Sequence, residues 1–201
     1  MASSSPRRRE ILKNRNIHFD TLPLKVSEIP NENLNPLDQI RQISALKLQT
    51  AQIEIKQATR ANQPYVLLCA DTEVIFEGKL LGKPASLAFA EKTLGRLSGK
   101  THQVTTVIQL FESSQNETLE LSVTTQIQFN QLTLEDIQGY VQTGDPMDKA
   151  GSYGIQNVPK HFIRSVEGSF ENVIGLPIDE LMKLFEKKNW EFLPFSIEPR
   201  S

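Results

Sequence analysis

One cysteine in 201 residues, no long apolar run and a net charge of only −2 limit what this chain can be. Cys69 has no second cysteine to pair with, so an intrachain disulfide is excluded and a reducing, cytoplasmic setting is the default. Lying inside an apolar run, that thiol reads first as a small buried hydrophobe. No stretch approaches the roughly eighteen apolar residues a membrane helix needs, and the N-terminus lacks the apolar core of a secretory signal. The near-neutral balance gives no global field for nucleic acid or an anionic membrane, so any anion must be held by local cations. Also missing are a glycine-rich phosphate loop ending in Lys-Ser/Thr, a dinucleotide fingerprint, paired Cys or His ligands and a nucleophile elbow. These absences argue against an ordinary kinase or GTPase and against zinc.

What is present is a soluble-protein composition, 38% hydrophobic and 23% charged, with no repeats or linkers, so residues 1–201 read as one domain. Ser5-Pro6 predicts a helix N-cap with proline at N1. Arg7, Arg8 and Arg9 then fall in the first turn, where the helix dipole disfavours cations. Either an anion docks there and reverses that argument, or this is a solvated basic turn. Asn35-Pro36 opens a second helix to about Ala61, with Leu37, Ile40, Ile43, Leu46 and Ala51 on one stripe and Lys47 beside it. Ser86 and Thr133 cap two more helices, stopped by Gly99 and Gly144. Two strands joined at Ser113–Asn116 lie between them, the second alternating through Leu119, Leu121, Val123, Ile127 and Phe129. His102, opening the first of these strands, reads as a surface or structural histidine. A strand from Phe162 to Val166 and a final helix through Ile178, Leu181 and Phe185 complete an α/β fold with a mixed sheet flanked by helices.

The stretch LLCADTEVIFEGKLLGKP, Leu67 to Pro84, organises the rest. Its apolar run, Val66 to Cys69, delivers Asp71 to what reads as the end of a buried strand. A hairpin follows, Glu73 to Phe76 and Lys79 to Gly82 around Glu77-Gly78, and ends on Lys83 before Pro84. With a second acid, Glu28, the clustered arginines and the glycine-rich GDPMDKAGSYGIQ segment (Gly144–Gln156), these residues suit a polyphosphate held by Arg/Lys. A hard divalent ion on carboxylates would accompany it, as Mg²⁺ takes one or two protein carboxylates and shares phosphate oxygens.

Four motifs together resemble the Maf family of nucleoside triphosphate pyrophosphatases: SPRRRE at Ser5–Glu10, ADTEV at Ala70–Val74 with GKP at Gly82–Pro84, THQVTT at Thr101–Thr106, and DKAGSYGIQ at Asp148–Gln156. The GLP at Gly175–Pro177 matches a fifth. Their order and spacing agree over nearly the whole chain. The resemblance implies an elongated fold with a central cleft, often a homodimer, and cleavage of a nucleoside triphosphate between its α- and β-phosphates with Mg²⁺ or Mn²⁺. It implies Asp71 as general base, Ser5, Arg7, Arg8, Lys47 and Lys83 along the triphosphate, and Glu28 as a supporting acid near the metal. The positions of Arg7, Thr72 and Gln156 are associated in the family with substrate choice. The ADT and DKAGSYGIQ forms look like the dTTP/UTP branch rather than the branch preferring 7-methyl-GTP. Two departures stand out. Family members normally carry a first strand before the serine-arginine motif, and here Met1 stands where that strand would be ending, so the start is truncated or the strand is missing. Leu48 follows Lys47 where a smaller residue is common. Other readings are a pyrophosphatase for non-standard purine nucleotides, a non-catalytic nucleotide-binding regulator of division, and an RNA-binding module built on Arg7 to Arg9. The weak net charge and the absence of an aromatic-basic stripe speak against the last.

Overall fold

Strand β3 (Thr101–Glu112) is buried along most of its length, and the rest of the molecule is laid out from it. The computed structural model describes residues 1–57 and 64–190. In chain order these are α1 (Pro6–Asn14), α2 (Pro36–Gln57), β1 (Val66–Phe76), β2 (Lys79–Leu80), α3 (Leu87–Leu97), β3, β4 (Glu117–Phe129), α4 (Leu134–Val141), β5 (Ile163–Glu167), α5 (Phe170–Ile174) and α6 (Ile178–Lys187). Short 3₁₀ turns at Asp145–Asp148, Ala150–Ser152 and Lys160–Phe162 link α4 to β5. The five strands form one sheet in the order β2-β1-β3-β4-β5. All four pairings are antiparallel, narrower than the mixed sheet expected.

The predicted caps hold. Ser5 accepts from the Arg8 amide and Ser86 from the Phe89 amide, while Thr133 and Asp136 form a reciprocal capping box. On α2 the stripe needs one correction. Leu46 is exposed at 41%, and Leu48, two positions on, is buried with Ile40, Ile43 and Ala51. The helix is followed as far as Gln57, so the expected end near Ala61 lies outside the described residues. The C-terminal residues from 191 onward do too.

A larger correction concerns β1. The strand does not stop at Asp71 but runs on to Phe76, with Asp71 opposite Val107. Polarity suggested an ending where the strand merely changes what its faces meet. Side chains alternate, and one face of β1 carries Leu68, Ala70, Thr72, Val74 and Phe76. Leu68 and Ala70 join an apolar cluster with Ile108 and Leu110 under α1 and α6. Val74 and Phe76 join a second cluster with Val104 and Phe129 under α3 and α4. Thr72 falls between, opposite Thr106. One sheet therefore runs beneath two apolar lobes, and a polar seam separates them. The other face, carrying Leu67, Cys69, Asp71 and Glu73, turns to α2, where Leu48 and Ala51 pack on Leu67 and Cys69.

The seam is a directed chain of hydrogen bonds. Arg8 Nη2 donates to Thr72 Oγ1 at 2.9 Å, and Thr72 and Thr106 hydroxyls meet at 2.9 Å. Thr106 donates to the Asn172 carbonyl at 3.1 Å, which leaves Thr72 as donor to Thr106. Asn172 Nδ2 donates to the Val104 carbonyl and to Thr125 Oγ1, and Thr125 donates to the Ser169 carbonyl. Asn172 Oδ1 is buried without a partner, but the other groups of the seam are supplied, and the sheet's middle can be polar without being wet.

Candidate active site

The edge of β1 explains where the cavity lies. The Ala2 amide bonds the Leu68 carbonyl at one end, and the Leu81 amide bonds the Val74 carbonyl at the other. Because alternate residues present their backbone groups to the same side, Ala70 and Thr72 face the uncovered stretch between. Met1 and Ala2 are assigned to no strand, yet Ala2 takes a hydrogen-bonding place beside β1. A cavity of about 330 Å³ opens at this gap, at the lower end of the range for small-molecule sites.

Every candidate from the sequence lines this cavity: Ser5, Arg7, Arg8, Glu28, Lys47, Asp71, Thr72, Lys83 and Gln156. They come from the N-terminal turn of α1, the loop before α2, α2 itself, β1, the residues after β2 and the glycine-rich segment. That segment is held against β1 by Gly151, whose amide bonds the Leu81 and Gly82 carbonyls. Gly151 has φ +69°, and a Cβ there would stand 2.7 Å from Val74 Cγ2, so only glycine allows this approach.

Asp71 lies on the cavity floor with its side chain 7% exposed. Lys47 Nζ donates to its Oδ1 at 2.7 Å and also meets Glu28 Oε1 at 2.6 Å. Lys83 reaches Glu28 Oε2 at 3.5 Å. Burial alone would raise the Glu28 carboxyl, but the hydrogen bond and charge of Lys47, with Lys83, hold it below its ordinary range. Asp71 Oδ2 is shielded from water and has no hydrogen-bond partner. Glu73, two residues along β1, is in the same position: its Oε2 is buried without a partner. Removal from water, and then the charge of Asp71, push the Glu73 carboxyl up to about 8.

The opposite wall is cationic. Arg8 is buried, and its Nε donates to the Gly175 carbonyl at 2.8 Å while Nη2 holds Thr72. Burial lowers its pKa against the opposing influence of Asp71 and Glu28. Arg8 forms no ion pair among the described residues, so its charge is not locally cancelled. Arg7 Nη1 meets Asp148 Oδ2 at 3.1 Å, and Asp148 Oδ1 accepts from Lys149 at 2.7 Å. Arg7 thus ties α1 to the glycine-rich segment across the cleft. Half-buried Lys149 is fixed further by the Asp145 carbonyl and carboxylate.

The chain matches the family model described as Maf-like protein over residues 1–188. It belongs to the Maf family. Among its relatives, it is 48% identical over 187 residues to the dTTP/UTP pyrophosphatase of Bdellovibrio bacteriovorus, spanning 93% of this chain and 96% of that one. It is 39% identical over 188 residues to the dTTP/UTP pyrophosphatase of Pasteurella multocida, spanning 92% and 93%. A third, the dTTP/UTP pyrophosphatase of Neisseria meningitidis, is 35% identical over 195 residues, spanning 97% and 96%.

Within this Maf chain, sequence reasoning passed over Glu73, assigned only to a hairpin strand. The period of two that sets it beside Asp71 was the available signal. Ser3, whose hydroxyl lies 3.4 Å from Arg8 Nη1, and Lys149, read only as half of a charged pair with Asp148, also line the cavity and were given no site role. Two expected features proved inert. Cys69 is fully buried, its thiol pushed up to about 12 by burial. His102 is buried in the lobe under α3 and α4, a structural rather than a surface histidine. No helix among the described residues is long and apolar enough to cross a membrane.

Proposed function

We propose that this cavity hydrolyses dTTP and UTP between the α- and β-phosphates, releasing the monophosphate and pyrophosphate. The observation that carries the reading is a pair of opposite, unfinished charges in one cavity. Arg8 is a buried cation without an ion pair, and Asp71 is a buried acid with one oxygen unpartnered. A polyphosphate accompanied by a divalent cation completes both. The relatives' names, dTTP/UTP pyrophosphatase, support the choice of dTTP and UTP.

The donor set fits a hard cation. Among the described residues no three His, Cys, Asp or Glu side chains gather to hold a metal unaided. Mg²⁺ is content with one or two carboxylates plus phosphate oxygens. Asp71 and Glu28 would hold Mg²⁺ or Mn²⁺ here; they already share one cation, the Lys47 ammonium. Such an ion supplies charge neutralisation and polarises phosphate oxygens.

Lys47 fixes Asp71 through Oδ1 and leaves Oδ2 as the acceptor for a proton from the attacking water. Ser5, Arg7, Arg8 and Lys83 spread cationic and hydrogen-bonding groups along the phosphates, where leaving-group charge develops. Because Arg8 also holds Thr72, it links anion binding to the β1 edge. Thr72 and Gln156, with Arg7, face the nucleotide as determinants of base choice.

The decisive experiment is a panel of nucleoside triphosphates with Mg²⁺, scoring the base cleaved and whether pyrophosphate or phosphate appears. Pyrophosphate from dTTP and UTP is expected. Preference for 7-methyl-GTP or non-standard purines would move the chain to the other enzymatic reading, and tight binding without turnover would make it a regulator. A homodimeric, cytoplasmic, single-domain enzyme belongs to the same proposal, its dimer checked by light scattering.

A further inference from the structure

Glu73 is the one acid of the cavity floor that the reading above leaves unused. It stands two residues from Asp71 on β1, so the two side chains leave the same face of the strand. Both line the cavity. The two lysines of the floor are already engaged: Lys47 bridges Glu28 and Asp71 at 2.6 and 2.7 Å, and Lys83 lies against Glu28. No donor among the described residues reaches Glu73 Oε2 or Asp71 Oδ2. Asp71, its side chain 7% exposed, is held by Lys47 so that this second oxygen stays unpartnered.

A buried polar group left without a partner is costly, and natural folds supply one. An apolar side chain at position 73 would remove half of the difficulty, and Ile75, two residues on along the same face, is apolar. Two shielded carboxylate oxygens on one face instead make a set of hard acceptors with no donor. Groups of this chemistry are completed by a hard divalent cation, which takes carboxylate oxygens from the protein and the rest from water or phosphate.

We infer that Glu73 is a ligand of the divalent cation, supplying a carboxylate oxygen next to Asp71 on the cavity floor. The inference rests on the metal-dependent reading of the cavity and exchanges one carboxylate in it: among the described residues no three acidic side chains gather on an ion, so Glu73 takes the place given to Glu28, whose oxygens meet Lys47 and Lys83.

Mn²⁺ tests this without turnover. The free ion is titrated with the full chain and followed by electron paramagnetic resonance in the absence of nucleotide, and unfolding temperature is recorded with Mn²⁺ and with EDTA. Wild type should bind Mn²⁺ and be stabilised by it. In Glu73→Gln the affinity should fall at least about tenfold, since even groups that only orient a metal ligand typically cost that much. The Mn²⁺-induced rise in unfolding temperature should shrink accordingly, while the variant in EDTA unfolds no lower than wild type. Glu73→Asp, which keeps the charge, should retain part of the affinity. Mn²⁺ affinity in Glu73→Gln within about twofold of wild type, with turnover of dTTP intact in wild type, overturns this inference alone and points to a proton shared between the two carboxyls. Absence of Mn²⁺ binding to wild type overturns it together with the metal in the proposed function.

Discussion

The cavity floor on β1 and the lobe under α3 and α4 both bury polar side chains on the same sheet, but they treat them in opposite ways. At the centre of the lobe the paired ring groups stay neutral. His102 Nε2 meets the Tyr153 hydroxyl at 2.7 Å, edge-on to Phe129, and burial alone lowers the imidazole to about 4. Tyr153 is raised by burial as well, so neither partner carries charge at neutral pH. On β1 the buried groups are ionisable and incompletely matched: Asp71 and Glu73 keep unpartnered oxygens, and Arg8 has no ion pair among the described residues. Desolvated charge is expensive unless paired. Elsewhere buried charge is matched at Glu112, which accepts from Ser114 and Gln115, and at half-buried Lys149, which pairs with Asp145; a place where acids and a buried arginine stay unmatched side by side suits a charged ligand. Substitutions on the cavity floor should then cost activity more than stability, and substitutions in the lobe the reverse.

The sharpest break of this contrast is Asp71→Asn. It keeps the shape and an acceptor for Lys47 but removes the base, so turnover of dTTP should fall by roughly 10²–10⁴-fold. Unfolding in denaturant should change little. Near-normal turnover in the purified variant would strip Asp71 of its role. Next comes Arg8→Lys, which preserves the charge but not the fork that reaches Gly175 and Thr72 together. We expect kcat/KM to drop about 10–100-fold, since one ammonium cannot fix the Thr72 edge and face a phosphate at once. Equal losses from Arg8→Lys and from a variant of half-buried Arg9 would argue for a generic basic patch. Lys83→Ala should do less, because its side chain is 58% exposed and its contact with Glu28 is 3.5 Å. About a tenfold fall in kcat/KM, divided between KM and kcat, fits a cation that touches both ground and transition states.

How far these regions could be read beforehand follows the range of the forces that build them. Ser5, Ser86 and Thr133 were legible as caps because a cap is settled within four residues. Asp71, Lys83 and the arginines were legible as a constellation through the order of the motifs. The end of β1 was not. A charged residue after an apolar run looks like a strand terminus, whereas the strand continues past Asp71 with acids toward the cavity and Val74 and Phe76 toward the core. Leu46 and Leu48 exchanged roles because α2 lies on the sheet with Lys47 directed at Asp71, a long-range contact that sets the helix's rotation. The seam from Arg8 through Thr72 and Thr106 to Asn172 joins residues up to 164 positions apart, and hydroxyl and amide side chains carry no periodic signal of such partners.

The smallest effect belongs to the neutral lobe and runs through stability alone. His102 titrates near 4 in the folded protein against about 6.5 in an unfolded chain. Between those values the unfolded chain binds the extra proton, so stability is fully present above about pH 6.5 and is lost as pH falls toward 4. Going from pH 7 to pH 5 should remove about 2 kcal/mol through this residue. In His102→Gln that proton has nowhere to bind, and the slope between those pH values should flatten by the same amount in denaturant unfolding. Turnover of His102→Gln at pH 7.5 should stay within a few-fold of wild type, since the ring lies behind Tyr153 and beside Phe129 and does not itself line the cavity. A loss of activity as large as that of Asp71→Asn, with an unchanged stability slope, would erase the distinction between the two regions and make the lobe part of the catalytic machinery.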